Sequence, residues 1–346
     1  MSGTLKVIER APYNVVILAE TYSARNLIVD SIEVVRLTDR EHHTEVSICP
    51  SIGNIAYDLR VNDQPILLPP PGSLSGWQGK PSQAGIPFLA PWANRLDGDA
   101  YWANGKRYLL NPGAATIGRD PNGLPIHGLL LYASAWQVTR LNAGEQAAEV
   151  TSRLEFWKHP EWMAQFPFAH SIEITHRLAG GVLEVRTAIQ NHSTDSMPLV
   201  IGFHPWYQIP GIPRDQWTVR LPVRQHYVLS PQLIPTGETK PMDLPEPTPL
   251  AGRHLDDVFG GVDPNGEFSV EAQGRKISVQ FGPKFPIAVV YAPDTRDVVC
   301  FEPMTGITDG FNLAHEGLFK ELQSVAAGGT WSESFWIRPT GFSASN

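Results

Sequence analysis

The sequence predicts an all-β fold of antiparallel strands arranged as a sandwich or barrel, with few and short helices. Three observations carry that expectation. Short stretches alternating apolar and polar residues recur along the chain, turn formers separate most of them, and no helix-period segments of 10 to 15 residues stand between them as a doubly wound sheet would require. The 30 glycines and 31 prolines among 346 residues, against roughly 12% in average usage, suit a chain with many short elements and many turns.

The elements can be justified in order. Glu45–Ile48 and Ala56–Val61 are the first strand candidates, and Lys106–Leu110 follows the Asn104-Gly105 turn. Trp136–Leu141 and Val150–Phe156 come next. Residues 171–190 read as a hairpin around Ala179-Gly180-Gly181, with Leu183, Val185 and Ile189 inward and Glu184, Arg186 and Gln190 outward. Leu199 to Phe203 is an apolar run expected to be a buried strand, followed by Trp217–Leu221, Lys276–Phe281, Ile287–Tyr291 and Val298–Phe301. The proline-rich stretches 69–72 and 231–249 are interrupted by apolar residues and are expected to be ordered loops at a sheet edge. With no repeat and no linker, residues 1–346 read as a single domain.

Composition excludes several functions. A formal charge of −8 without a basic run disfavours nucleic acid. No run approaches the roughly 20 apolar residues of a membrane span. Cys49 and Cys300, 251 positions apart, supply neither a disulfide framework nor a zinc ribbon. The first 20 residues lack the marks of a secretory signal, so the expectation is a cytoplasmic protein, or a periplasmic one if a signal has been removed. HExxH, GxSxG and GxxxxGK[ST] are missing, which leaves no metal-ligand, serine-hydrolase or phosphate-loop signature.

Chemistry concentrates in five places where polar residues interrupt apolar or Gly/Pro-rich sequence. His204 follows an apolar run and precedes Pro205, and Glu302 follows Val298 to Phe301 and precedes Pro303. Both read as side chains at strand ends, where a carboxylate is costly unless paired or used. His127 precedes Gly128, which permits a bend or a close approach. Arg95, after Asn94 and near Trp92, offers a planar donor fork beside an indole, or else a salt bridge that anchors its loop. Asp256 and Asp257 lie side by side in an extended segment, so at most one should enter a site. His42-His43 reads as surface, and residues 157–162 as a pocket lining or a packed loop.

The ordered set of motifs resembles the aldose 1-epimerase (galactose mutarotase) family. Asn94-Arg95 with the following NGKRYLL, His127-Gly128, His204-Pro205-Trp206-Tyr207, Leu255-Asp256-Asp257-Val258-Phe259 and Phe301-Glu302-Pro303 match its pattern over about residues 45–338, and residues 46–67 resemble its first strands. The resemblance implies a β-supersandwich and interconversion of the α and β anomers of a free aldohexose, without cofactor or metal. It implies Glu302 as general base, His204 as general acid, and Arg95, His127, Asp256, Asn94 and Trp206 around the sugar. It further implies a small-molecule sugar as partner and a monomer or homodimer. Leu129 after Gly128, and Gln208-Ile209 after Trp206-Tyr207, depart from the commoner family pattern and leave the sugar open. Trp92 and Trp206 are candidate sugar platforms, and a phosphorylated or sulfonated sugar would need a second cation, for which Arg119, Lys158 and Arg253 are candidates. The alternatives are a non-catalytic sugar-binding or sugar-sensing protein on the same scaffold, or a lyase or glycosidase using Asp256 or Asp257 as its second carboxylate.

Overall fold

The computed structural model describes residues 6–9, 15–18 and 20–343. Its strands form three large antiparallel sheets and two short ribbons. The first sheet is a meander of seven strands in chain order, from Lys6–Glu9 to Gln64–Pro65. Tyr22–Val29 and Ile32–Asp39, joined at Asp30-Ser31, belong to it and escape the sequence reading. Arg25, Glu33 and Arg36 interrupt their apolar residues, which blurs the alternation. Most of the segment read for a targeting signal lies outside the described residues.

The second sheet has nine strands and contains the predicted hairpin, paired as His170–Ala179 with Val182–Asn191. Leu183, Val185 and Ile189 are buried there, while Arg186 and Gln190 are exposed, as period-two patterning demands. The long strand Thr330–Thr340 joins this hairpin to Arg275–Phe281 and so closes the middle of the sheet.

The third sheet carries Asp256 and Glu302 and leads directly into His204, three of the residues singled out from the sequence. Its order is Pro235–Pro241, Gln225–Leu229, Leu255–Gly260, Ile287–Ala292, Cys300–Met304, Gly202–Phe203 and Phe88–Leu89. One face packs on the nine-stranded sheet: Phe203 meets Phe335 at a ring separation of 4.9 Å and Phe301 meets Phe268 at 5.7 Å. Buried apolar side chains from Tyr22 to Phe342 form one continuous cluster across these layers. The opposite face is apolar at one end, with Val258, Ile287, Val289 and Met304 packed together. At the other end it bears Asp256, Tyr291 and Glu302.

Among the described residues the α-helices are Leu74–Gly79, Pro160–Met163 and Gly310–His315, as short as expected, and no helix is long and apolar enough to cross a membrane. One reading needs correction. Segment 231–249 is not loop throughout, because Pro235–Pro241 and Thr248–Pro249 are edge strands, where prolines lose few ladder bonds. Of the two readings left open for residues 157–162 the packed one describes what is seen: they make a helical turn that buries Trp162 and leaves Trp157 exposed.

Candidate active site

Glu302 lies in mid-strand, third of five residues in Cys300–Met304 and opposite Val289, rather than at a strand end. The proline after it is compatible with this. Thr305 N–H reaches Ile201 O, so the Pro303 nitrogen, two residues earlier, faces the same two-residue strand Gly202–Phe203, where the ladder is already ending. His204 does follow a strand end. Its N–H donates to Pro87 O at 3.0 Å and the Trp206 N–H to Gly85 O at 2.9 Å. The hydroxyl oxygen of buried Thr305 accepts the Ile201 N–H at 2.8 Å, which ties the strand before His204 to the strand of Glu302.

These constraints bring His204 Nε2 to 3.3 Å from Glu302 Oε1. His204 stacks face to face on Trp206 at 4.6 Å and 11° and meets His127 edge-on at 5.4 Å. Glu302 Oε2, His204 Nδ1 and His127 Nδ1 are buried without a hydrogen-bond partner. A buried polar atom left unpaired is costly, and a ligand hydroxyl is the natural way to satisfy it.

Two loops outside the sheet supply the remaining groups. Residues 90–96 and 118–130 are knitted by bridges Arg95↔Ile126 and Ala90↔Gly128, with Leu96 N–H on Pro125 O and His127 N–H on Asn94 O, both at 2.9 Å. Asn94 and His127 both take left-handed backbone, φ 56° and 63°. For histidine this is a strained conformation, held here by its surroundings. Gly128 is obligatory: its φ is 70°, and a Cβ there would overlap the carbonyl of Ala90. Its close approach is thus to the neighbouring loop.

Arg95 makes the loop-anchoring salt bridge and also borders the cavity. Its Nε donates to Asp120 Oδ2 at 2.8 Å and one terminal nitrogen to Asn94 Oδ1 at 3.0 Å, while the other lies 3.6 Å from Asp256 Oδ2. Asp120, which sequence reasoning missed, also accepts the N–H groups of Asn122 and Leu124. The turn Asp120-Pro121-Asn122-Gly123 was the available signal, since Asp commonly caps such turns. Asp256 and Asp257 do face opposite ways: Asp256 toward Arg95, and Asp257 onto His226 at 2.9 Å.

Glu302, His204, His127, Arg95, Asn94, Asp256 and Tyr291 together line a cavity of about 480 Å³. Tyr291, opposite Asp256 in the sheet, was not foreseen because it reads as an ordinary strand residue. Trp206 is 1% exposed and sits under His204, a support for the imidazole rather than an open platform, and Trp92 is wholly buried in the core. Of the three cations considered, Arg119 borders the cavity, whereas Lys158 and Arg253 do not.

Burial raises the Glu302 carboxyl well above the usual carboxylate range, with the Asp256 charge adding to it and Arg95 opposing. Burial lowers the His204 imidazole to about 3, and Arg95 pushes the same way. Burial, with His204 and Arg95 nearby, also holds His127 neutral. Burial thus disfavours the charged form of both groups and biases the pair toward a neutral acid beside a neutral imidazole. Among the described residues no group of three or more His, Cys, Asp or Glu is arranged to hold a metal ion.

The layered antiparallel sheets, with this cleft on the outer face of one of them, define the galactose mutarotase-like class of β-supersandwich. A galactose mutarotase-like protein from Clostridium acetobutylicum superposes with a TM-score of 0.81 at 19% identity, covering 91% of this chain and 98% of that one. Galactose 1-epimerase from Lactobacillus acidophilus superposes with a TM-score of 0.68 at 11% identity over 98% of both chains. In sequence, the uncharacterised protein YphB of Escherichia coli K12 is 21% identical over 262 residues, 72% of this chain and 82% of YphB. The chain belongs to the aldose 1-epimerase family, whose model matches residues 33–338.

Proposed function

We propose that the protein is an aldose 1-epimerase that interconverts the α and β anomers of an aldohexose with a free anomeric hydroxyl. The observation that carries the reading is the 3.3 Å contact between His204 Nε2 and Glu302 Oε1 at the floor of a polar cleft, with an unpartnered atom on each.

Ring opening removes a proton from the C1 hydroxyl and delivers one to the ring oxygen. In the ionic form of the pair, Glu302 is a carboxylate that accepts the C1 proton and His204 an imidazolium that donates to the ring oxygen. Opening leaves a protonated Glu302 and a neutral His204, which is the resting form favoured by burial. Rotation of the C1 aldehyde and closure on the other face then run the transfers backwards: Glu302 returns its proton to O1 while His204 takes the one on O5. The pair holds one proton before opening and one after, so no proton need be exchanged with water. Each such step contributes roughly 10²–10⁴-fold.

Arg95, fixed by Asp120, and Asp256 are placed to hold sugar hydroxyls, with Asn94 bracing the guanidinium. His127, kept neutral, offers one donor and one acceptor without adding charge beside His204. Trp206 holds the His204 ring in plane.

Polarimetry of freshly dissolved α-glucose and α-galactose tests the proposal. Wild type should speed the approach to equilibrium, and Glu302→Gln and His204→Asn should not. Relaxation at the buffer rate by wild type across a sugar panel would falsify it. Binding of a sugar by calorimetry without anomerisation would instead indicate a sugar sensor on the same scaffold.

A further inference from the structure

Twelve non-glycine residues among those described have a positive φ, and all but one carry a polar side chain; the exception is Leu233, at φ 62°. Left-handed backbone is costly for a bulky apolar residue and nearly free for glycine. The local turn explains the conformation but not the leucine. Residues 230–234 join Gln225–Leu229 to Pro235–Pro241. The Leu233 N–H donates to Ser230 O at 2.9 Å and the Ser230 N–H to Ile234 O at 2.8 Å, while Ser230 Oγ accepts the Ile234 N–H at 3.2 Å. This is a three-residue hairpin loop closed by a left-handed residue, a position that glycine normally fills. Core packing does not explain the leucine either. Leu233 is half-buried but joins none of the apolar clusters among the described residues, whereas Leu229 in the same hairpin packs on the cluster of Val258 and Met304. Leu233 instead lines the cavity of about 480 Å³, together with Asn94 and His127, two more of the twelve. Strain gathered at one cleft points to function there.

The strand register shows which end of the cleft the leucine occupies. Gln225 pairs with Gly260 and His226 with Phe259, so Gln225–Leu229 runs on toward Asp256 and its turn stands at that end of the neighbouring strand. Across the sheet the order is then the Leu233 turn, Asp256, Tyr291, Glu302 and His204. A pyranose with its C1 hydroxyl at Glu302 and its ring oxygen at His204 turns its C2–C3 edge toward Asp256. C3 is the ring atom directly across from the ring oxygen, so its substituent is the one that reaches toward Leu233.

We propose that Leu233 is a specificity-determining residue, a steric stop against any C3 substituent larger than a hydroxyl, an inference that rests on the epimerase reading above. Asp256 and Arg95 bind the hydroxyls of this edge, and the leucine beyond them closes the cleft. It offers no hydrogen bond of its own, so it selects by size alone. One extra methylene against such a wall is worth roughly 10–200-fold in discrimination.

The experiment measures anomer exchange by magnetisation-transfer NMR for glucose, 3-O-methylglucose and 6-O-methylglucose, with wild type, Leu233→Gly and Leu233→Asn. Wild type should favour glucose over 3-O-methylglucose by at least about tenfold in kcat/KM. Leu233→Gly should close most of that gap while leaving the ratio of 6-O-methylglucose to glucose within about twofold of wild type, since C6 lies on the ring-oxygen side. Leu233→Asn keeps the bulk and should keep the gap. Glycine and asparagine both accept left-handed backbone, so neither variant should lower the thermal unfolding midpoint, which separates a lost stop from a damaged fold. Wild type exchanging 3-O-methylglucose as fast as glucose, or a gap that persists in Leu233→Gly or vanishes in Leu233→Asn, overturns the steric stop and leaves the epimerase reading standing. No exchange of any sugar overturns both.

Discussion

At the scale of single residues, the proposed reaction makes the proton shared by Glu302 and His204 the determinant of its pH behaviour. The active form carries one proton on the pair, so activity is lost when a second is added or the first removed. The acid limb follows His204, lowered to about 3, and the alkaline limb follows Glu302, raised above the carboxylate range by burial. The kcat/KM profile should therefore show a broad plateau that extends well below the ordinary histidine pKa of about 6.5. An acid limb centred near 6.5 would contradict this assignment. Glu302→Gln and His204→Asn should each cost about 10²–10⁴-fold in kcat with unfolding transitions near wild type. Asp120 acts through Arg95 as a positioning residue: Asp120→Asn removes the charge from the 2.8 Å bond to Arg95 Nε. Its expected signature is a KM raised about tenfold, as for loss of a buried charge-assisted hydrogen bond, with kcat changed less than threefold and the pH profile unmoved. A shifted pH profile would mean that Asp120 tunes the proton pair directly.

At the scale of elements, rigid loops do what strands alone cannot. The segment 90–96 is held on one side by 118–130 and on the other by Asp309, whose N–H donates to Arg95 O at 2.9 Å. The Asp309 Oδ1 accepts the Asp97 N–H at 3.0 Å and the Asn312 side chain at 2.7 Å. Gly128→Ala should destabilise the fold by about 2 kcal/mol or more, from left-handed backbone strain plus overlap with Ala90. Gly123→Ala carries the same backbone strain, at φ 80° with open space around it, and should cost clearly less. Equal unfolding free energies for the two variants would refute the packing argument. This contrast explains what could be read in advance. Strands such as Arg275–Phe281 and Val182–Asn191 were legible because one buried face writes itself as period two. Glu302 looked like a strand terminus because a following proline usually marks one. The Asp120 anchor and the Asp30-Ser31 hairpin left only weak local marks, since their meaning lies in partners distant in sequence or in strands broken by charge.

At the scale of the whole molecule, charge pairs that face away from the cleft also respond to pH. His226 sits between Asp257 at 2.9 Å and Asp243 at 2.8 Å, and the hydrogen bond to Asp257, followed by that to Asp243, raises its pKa against the opposing effect of burial. A raised histidine adds stability that is complete below its unfolded pKa and is lost as pH rises through the folded one. The stability difference between wild type and His226→Gln should therefore be larger at about pH 5.5 than at about pH 8.5 in denaturant titrations, and a difference independent of pH would rule the linkage out. The five motifs, scattered from Arg95 to Glu302, were recognisable as a set, but their convergence follows from a strand order that runs out of sequence. Gly202–Phe203 lies between Cys300–Met304 and Phe88–Leu89, so His204 meets Glu302 only after strands nearly a hundred residues apart have been laid side by side. Such long loop closures are slow to form, whereas the meander that opens the chain and the 170–191 hairpin join neighbours. On refolding, tryptophan burial and sheet signal should accumulate well before activity, and a ribosome-bound chain stopped short of residue 302 could form the opening meander and the 170–191 hairpin while lacking both Glu302 and the strand Thr330–Thr340 that joins the two halves of the second sheet.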